Sequence, residues 1–200
     1  MGVRTNGFQE YRGDVKVLNE VLDQIERTRG LNLKKSDIIL NYDNVLGYLE
    51  TKDGKDYINR AVIDVDAFAE TKGKVITLNK FMYDDSAFLK SQYDEAVKDN
   101  VFASGTTYIN VIDHEIGHQY LRNNKALEQN VVDEVSRLAY NEGVEVKDYI
   151  TANVSIYAGA QKDGGAFSEL VPELNAQLNG SNPAFAEAVF TKVGALNEDR

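Results

Sequence analysis

Val111-Ile112-Asp113-His114-Glu115-Ile116-Gly117-His118-Gln119-Tyr120-Leu121 is the stretch on which the reading of this chain turns. It holds both histidines of the 200-residue sequence, separated by Glu-Ile-Gly. Two histidines scattered at random would take this H-E-x-x-H spacing roughly once in a thousand such chains, so chance is a poor account of it. On a helix, residues four apart lie one turn apart on one face. Both imidazoles then reach a single tetrahedral ion, with Zn–N near ~2.0–2.1 Å. Glu115 sits beside the first of them, placed to take a proton from a water that the ion has made acidic. Ile109, Ile112, Ile116 and Tyr120 recur at spacings of three and four, a stripe that faces a core. Gly117 costs a helix about 1 kcal/mol against alanine, and close packing of a strand at that point would be a reason for it.

Around this segment the pattern divides. Upstream, residues 14–28 have the spacing of an amphipathic helix (Val15, Val17, Leu18, Val21, Leu22, Ile25) stopped by Gly30. SDIILNY (36–42) reads as a strand, TKDGKD (51–56) with Asp53-Gly54 as a turn, and NRAVIDVDAFAE (59–70) and KVITLNKF (74–81) as two strands able to pair as a hairpin. From residue 84 the period becomes helical. Helices are expected over 84–100, 106–124 (capped by Thr106 or Ser104), 128–143, 146–158 and 165–180, with Pro172 as a kink or break, and a last one starts at Asn182-Pro183. The expected fold class is α+β: one domain over 1–200, with a strand-rich part at about 31–82 and a helical part at about 84–197.

Composition removes several functions. There are 22 Lys and Arg against 32 Asp and Glu, a net charge of −10. That balance argues against a phosphate-backbone or anionic-membrane partner, so neither nucleic acid nor membrane is expected. Absence of cysteine excludes disulfides, thiolate nucleophiles and Cys-type metal sites. No stretch approaches the ~20 apolar residues of a membrane span. The opening MGVRTNGFQEYRGDVK has no apolar core of the kind a secretory signal carries.

A catalytic zinc site takes three protein ligands and keeps one position open. No third His and no Cys exist, so the remaining ligand should be a carboxylate, the Glu-zincin type of site, with Asp or Tyr as other options. Asp133, Glu134, Glu142, Glu145, Asp148, Glu169 and Glu173 lie downstream. Glu169 and Glu173 form an i,i+4 pair, of which one can bind metal while the other orients a histidine. Glu134 and Glu173 remain alternatives to Glu169. Asp113 is expected to face solvent or to cap.

Residues 74–120 carry Val-Ile-Thr-Leu-Asn-Lys, Tyr83-Asp84-Asp85 and Asp113-His114-Glu115-Ile116-Gly117-His118. With Val154-Ser155-Ile156-Tyr157-Ala158 and Glu169-Leu-Val-Pro-Glu173, this stretch resembles the metallopeptidase-like domains of phage head-associated proteins and some bacterial toxins. That group includes the anthrax lethal factor catalytic domain and the Pro-Pro endopeptidases. The resemblance covers roughly residues 74–175. The stretch Gly-Ala-Gln-Lys-Asp-Gly-Gly lengthens the gap between Tyr157 and Glu169 relative to the family pattern, and Pro172 stands where that pattern has a small residue.

The resemblance implies a zincin-like fold in which a small mixed sheet packs on the active-site helix. It implies Zn2+ on His114, His118 and Glu169, Glu115 as general base, and Tyr157 near the metal as a steadying group for the oxyanion. The expected activity is hydrolysis of a peptide bond in a peptide or protein substrate. Two other readings stay open: a phage assembly module that keeps the metal site without fast cleavage, and a toxin effector domain. In this class of peptidase the substrate usually lies along an exposed sheet edge, and VITLN (75–79) is the expected edge strand.

Overall fold

A computed structural model describes residues 3–28, 38–50, 59–160 and 166–196, with backbone alone at 48–50, 59, 60 and 123. Gly30, the Asp53-Gly54 turn and most of the Gly-rich insertion after Tyr157 lie outside the described residues. The architecture is α+β, as the periodicities predict.

The first helix, α1 (Val15–Arg27), starts where Asp14 accepts a hydrogen bond from the Lys16 amide, and it buries Val17, Val21 and Ile25. Val15, counted in the expected stripe, is instead exposed. Strands β1 (Arg4–Asn6), β2 (Ile39–Asp43), β5 (Ala69–Lys72) and β6 (Val75–Asn79) form a four-stranded sheet in the order β1-β2-β6-β5. The first three strands of that order are parallel, and β5 closes it antiparallel to β6 through a turn at Gly73, whose φ of 68° suits glycine. Strands β3 (Leu46–Glu50) and β4 (Asn59–Ile63) make a separate antiparallel ribbon.

Two strand expectations need correction. The single strand read over 59–70 is two, β4 and β5, and only β5 pairs with β6. The break is at Asp64, whose Oδ1 accepts from the amides of Asp66 and Ala67 and bends the chain out of extended form. VITLN is not an edge: β6 lies between β2 and β5, and among the described residues β5 is the outermost strand on that side. The hairpin fold-back puts β5 outside.

After the short α2 (Lys80–Tyr83) comes α3 (Ser86–Lys98), capped by Asp85. A 3-10 turn at Tyr108–Asn110 leads into α4 (Val111–Asn123). Neither Ser104 nor Thr106 caps this helix: the Asn110 side chain accepts from the Thr107 amide, while the Thr106 hydroxyl donates to the Ala103 carbonyl. Then follow α5 (Lys125–Glu142), ended by Gly143 in the left-handed region, α6 (Val146–Asn153), α7 (Ile156–Gly159), α8 (Leu170–Leu178) and α9 (Ala184–Lys192). The helix expected over 146–158 is thus two, because Ser155 Oγ accepts from the Ala158 amide and starts a new turn.

Two apolar cores result. One joins the sheet to α1 and α3, the other gathers α5, α6, α8 and α9. Helix α4 lies between them, sending Ile112 and Ile116 into the first and Leu121 into the second. Every residue of α8 is buried, including Glu173, Asn175 and Gln177. Its partner is α4, and the contact is close: a Cβ on Gly117 would stand 2.7 Å from Pro172 Cα. A helix, not a strand, therefore explains Gly117. Pro172 neither kinks nor breaks α8, because it sits in the first turn, where its missing N–H has no intrahelical partner to lose.

Candidate metal centre

The H-E-x-x-H helix aims both imidazoles at α8. Glu169, at the N-cap of α8, brings its Oε2 to 3.4 Å from His114 Nε2 and 3.0 Å from His118 Nε2. The two rings are 4.9 Å apart between centroids and inclined by 74°, so their nitrogens converge instead of stacking. Donor atoms around a tetrahedral ion bound at ~2.0–2.1 Å stand roughly 3.3 Å from one another. The His and Glu donors have about that spacing, and among the described residues this is the one such cluster. A set of two imidazoles and one carboxylate suits zinc, and suits iron or cobalt as well.

Glu173, one turn after Glu169, has a different task. Its Oε1 lies 2.8 Å from His114 Nδ1, and its Oε2 accepts from the Ala103 amide at 2.8 Å and from the Ser155 hydroxyl at 2.9 Å. Held from three sides, this carboxylate fixes a proton on His114 Nδ1 and turns Nε2 towards Glu169. Ser155 stands in the quoted Val154–Ala158 stretch but was given no role from sequence, and Ala103 was missed altogether; a loop alanine acting through its backbone amide leaves no side-chain signal.

Electrostatics at the centre favour positive charge. Burial works against the His114 imidazolium, yet the hydrogen bonds to Glu169 and Glu173 and the nearby carboxylates outweigh it, raising the His114 pKa to about 10. Glu115 is buried and lines the cavities on both sides of the histidines. Its carbonyl accepts from the Thr71 hydroxyl, which ties β5 to α4 beside the centre. Tyr157 lies over His114 with the rings 5.9 Å apart at 24°, and it borders both cavities. Burial and the charges of Glu169, Glu115 and Glu173 raise its pKa, so its hydroxyl keeps its proton.

Asp113 overturns its expectation. It is fully buried, neither solvent-facing nor a cap. Gln24 Nε2, Thr28 Oγ1 and Asn110 Nδ2 donate to its oxygens at 2.8, 2.6 and 2.9 Å, and Asn175 Nδ2 donates to its carbonyl at 2.6 Å. Burial raises its pKa to about 7 against these hydrogen bonds. Of the alternative ligands, Glu134 is taken by both arms of Arg137, and Asp133 accepts from Gln129. Asp133, Glu134, Glu142, Glu145 and Asp148 do not join the histidine cluster.

Two cavities flank Glu115. One, about 380 Å³, is walled by Phe68, Tyr93, Phe102, Val101 and Val111; the other, about 430 Å³, runs along β5 past His118 to Arg122. The Arg122 guanidinium stands over the β5–β6 turn, 2.8 Å from where a Cβ on Gly73 would be. Among the described residues no helix is long and apolar enough to cross a membrane. The chain matches no protein-family model, no curated protein and no solved structure.

Proposed function

We propose that this chain is a zincin-like, zinc-dependent metallopeptidase of the Glu-zincin type. The observation that carries the reading is the convergence of His114 Nε2, His118 Nε2 and Glu169 Oε2, with Glu115 beside them facing open space. A divalent ion there would supply a Lewis acid and lower the pKa of water. The field that raises the His114 pKa to about 10 favours such an ion for the same reason.

The residues divide the remaining work. Glu115 takes the proton of the attacking water and returns it to the departing amine nitrogen. Tyr157, protonated at neutral pH, donates to the carbonyl oxygen as negative charge develops on it. Glu173 holds the His114 tautomer. Among the described residues no strand pairs with the outer side of β5, so its backbone N–H and C=O groups there can take an extended peptide, and its tie to the Glu115 carbonyl fixes that side relative to the general base. Thus β5, Ala69–Lys72, takes the part expected of VITLN.

The test is zinc content together with cleavage of a mixed peptide library, for the native chain and for Glu115→Gln. Both proteins should carry about one zinc per chain, and the variant should lose ~10²–10⁴-fold in cleavage rate. A native chain that neither retains zinc nor takes it up would refute the proposal.

A further inference from the structure

We infer that the aromatic cavity beside Glu115 selects a substrate residue with a long apolar stem and a cationic tip, lysine or arginine. The inference rests on the peptidase reading and names the substrate class for it. The cavity's inner wall is rigid. Phe102 stacks on Tyr93 at 5.1 Å, and Phe68 sets its edge against both, at 5.4 and 5.6 Å. Tyr157 closes the ring side with its own edge contact to Phe102 at 6.0 Å. Such a wall is already packed and can cover methylenes without first having to assemble.

The rim has the opposite character. Asp64 and Asp66, on the bend between β4 and β5, both border the cavity. The bend fixes Asp64, because its Oδ1 is held by two backbone amides. Among the described residues neither carboxylate has an ion-pair partner. No lysine or arginine among the described residues lines the cavity, and the histidine that does, His114, is engaged by Glu169 and Glu173. A purely apolar guest would fill the wall and leave the two rim charges without a counter-charge. A lysine or arginine fills the wall with its stem and brings its charge to the rim, with aromatic faces adding to the attraction.

The experiment uses a fluorescent peptide series in which one position carries lysine, arginine, glutamate or norleucine, the last having a stem like lysine's without the charge. Cleavage is followed with the zinc-loaded native chain, and binding is followed by anisotropy with the zinc-loaded Glu115→Gln variant, which needs no turnover. Lysine and arginine should exceed norleucine roughly five- to tenfold in both, as expected of two solvent-screened carboxylates plus ring faces. The margin should shrink towards unity in the double variant Asp64→Asn/Asp66→Asn, in which the new side-chain carbonyl at position 64 still accepts from the bend amides. It should shrink likewise in the native chain at high salt, because the rim is solvent-screened. Norleucine equal to or better than lysine in both assays overturns the inference. Lysine-selective binding with no cleavage of any peptide sustains it and removes the peptidase reading instead. Absence of both binding and cleavage overturns the two together.

Discussion

The two apolar cores and the seam between them are built on opposite rules. The sheet core and the helical core are lined with Val, Ile, Leu and aromatic residues. The seam, where α4 meets α8, holds every buried carboxylate among the described residues, Asp113, Glu115, Glu169 and Glu173, together with Asn175, with Asn110 and Ser155 at its margins. In a core, a lost methyl costs dispersion and leaves a void. In the seam, a lost partner strands a buried charge or turns a donor the wrong way. Stability and chemistry should therefore respond to different residues, and three substitutions probe that separation.

The largest effect on folding should come from the helical core. Ile150→Ala removes a fully buried side chain and should cost ~2–5 kcal/mol. Denaturant unfolding measures it, and zinc affinity of the folded protein should stay unchanged. Glu173→Gln should do the reverse. An amide cannot accept from Ala103 and Ser155 while also accepting from His114 Nδ1. One contact is always mismatched, and the favoured escape puts the proton on Nε2, where it blocks metal. Competition with a chelator should show a ~10–100-fold loss of zinc affinity, with a smaller loss of stability than Ile150→Ala.

The third substitution is read through pH. Asp113 has its pKa raised from 3.8 to about 7, so the folded state holds a proton that the unfolded state has released. Its contribution is full below pH 3.8 and lost as pH rises through about 7. Asparagine at this position fits the network: its amide donates to Thr28 Oγ1, while the Thr28 hydroxyl donates to the Gln24 carbonyl. In Asp113→Asn the decline of Tm across this window should flatten. In metal-free protein His114 adds a separate loss between 6.5 and about 10, which the variant should retain.

The sequence was most legible where one residue type has one use. Helices α1, α3, α4 and α5 follow from the apolar period, and the His114/His118 face follows from spacing alone. Glu169 and Glu173 were visible as a pair at helical spacing, and their separate orientations only once α8 was laid across α4. What escaped was tertiary. Which strand lies at the edge depends on the hairpin direction after Gly73. The break at Asp64 depends on a side chain competing for backbone amides. Asp113 looked solvent-bound because two of its three donors come from residues 24 and 28, which no local pattern connects to it.

The meeting of Gly117 with Pro172 has one more consequence. With no side chain between them, the gap separating α4 from α8 is set by main-chain atoms that cannot change rotamer. The helix spacing from which His114, His118 and Glu169 reach towards one another is therefore fixed at a contact that touches none of them, and only their own side-chain torsions are left to adjust to a guest.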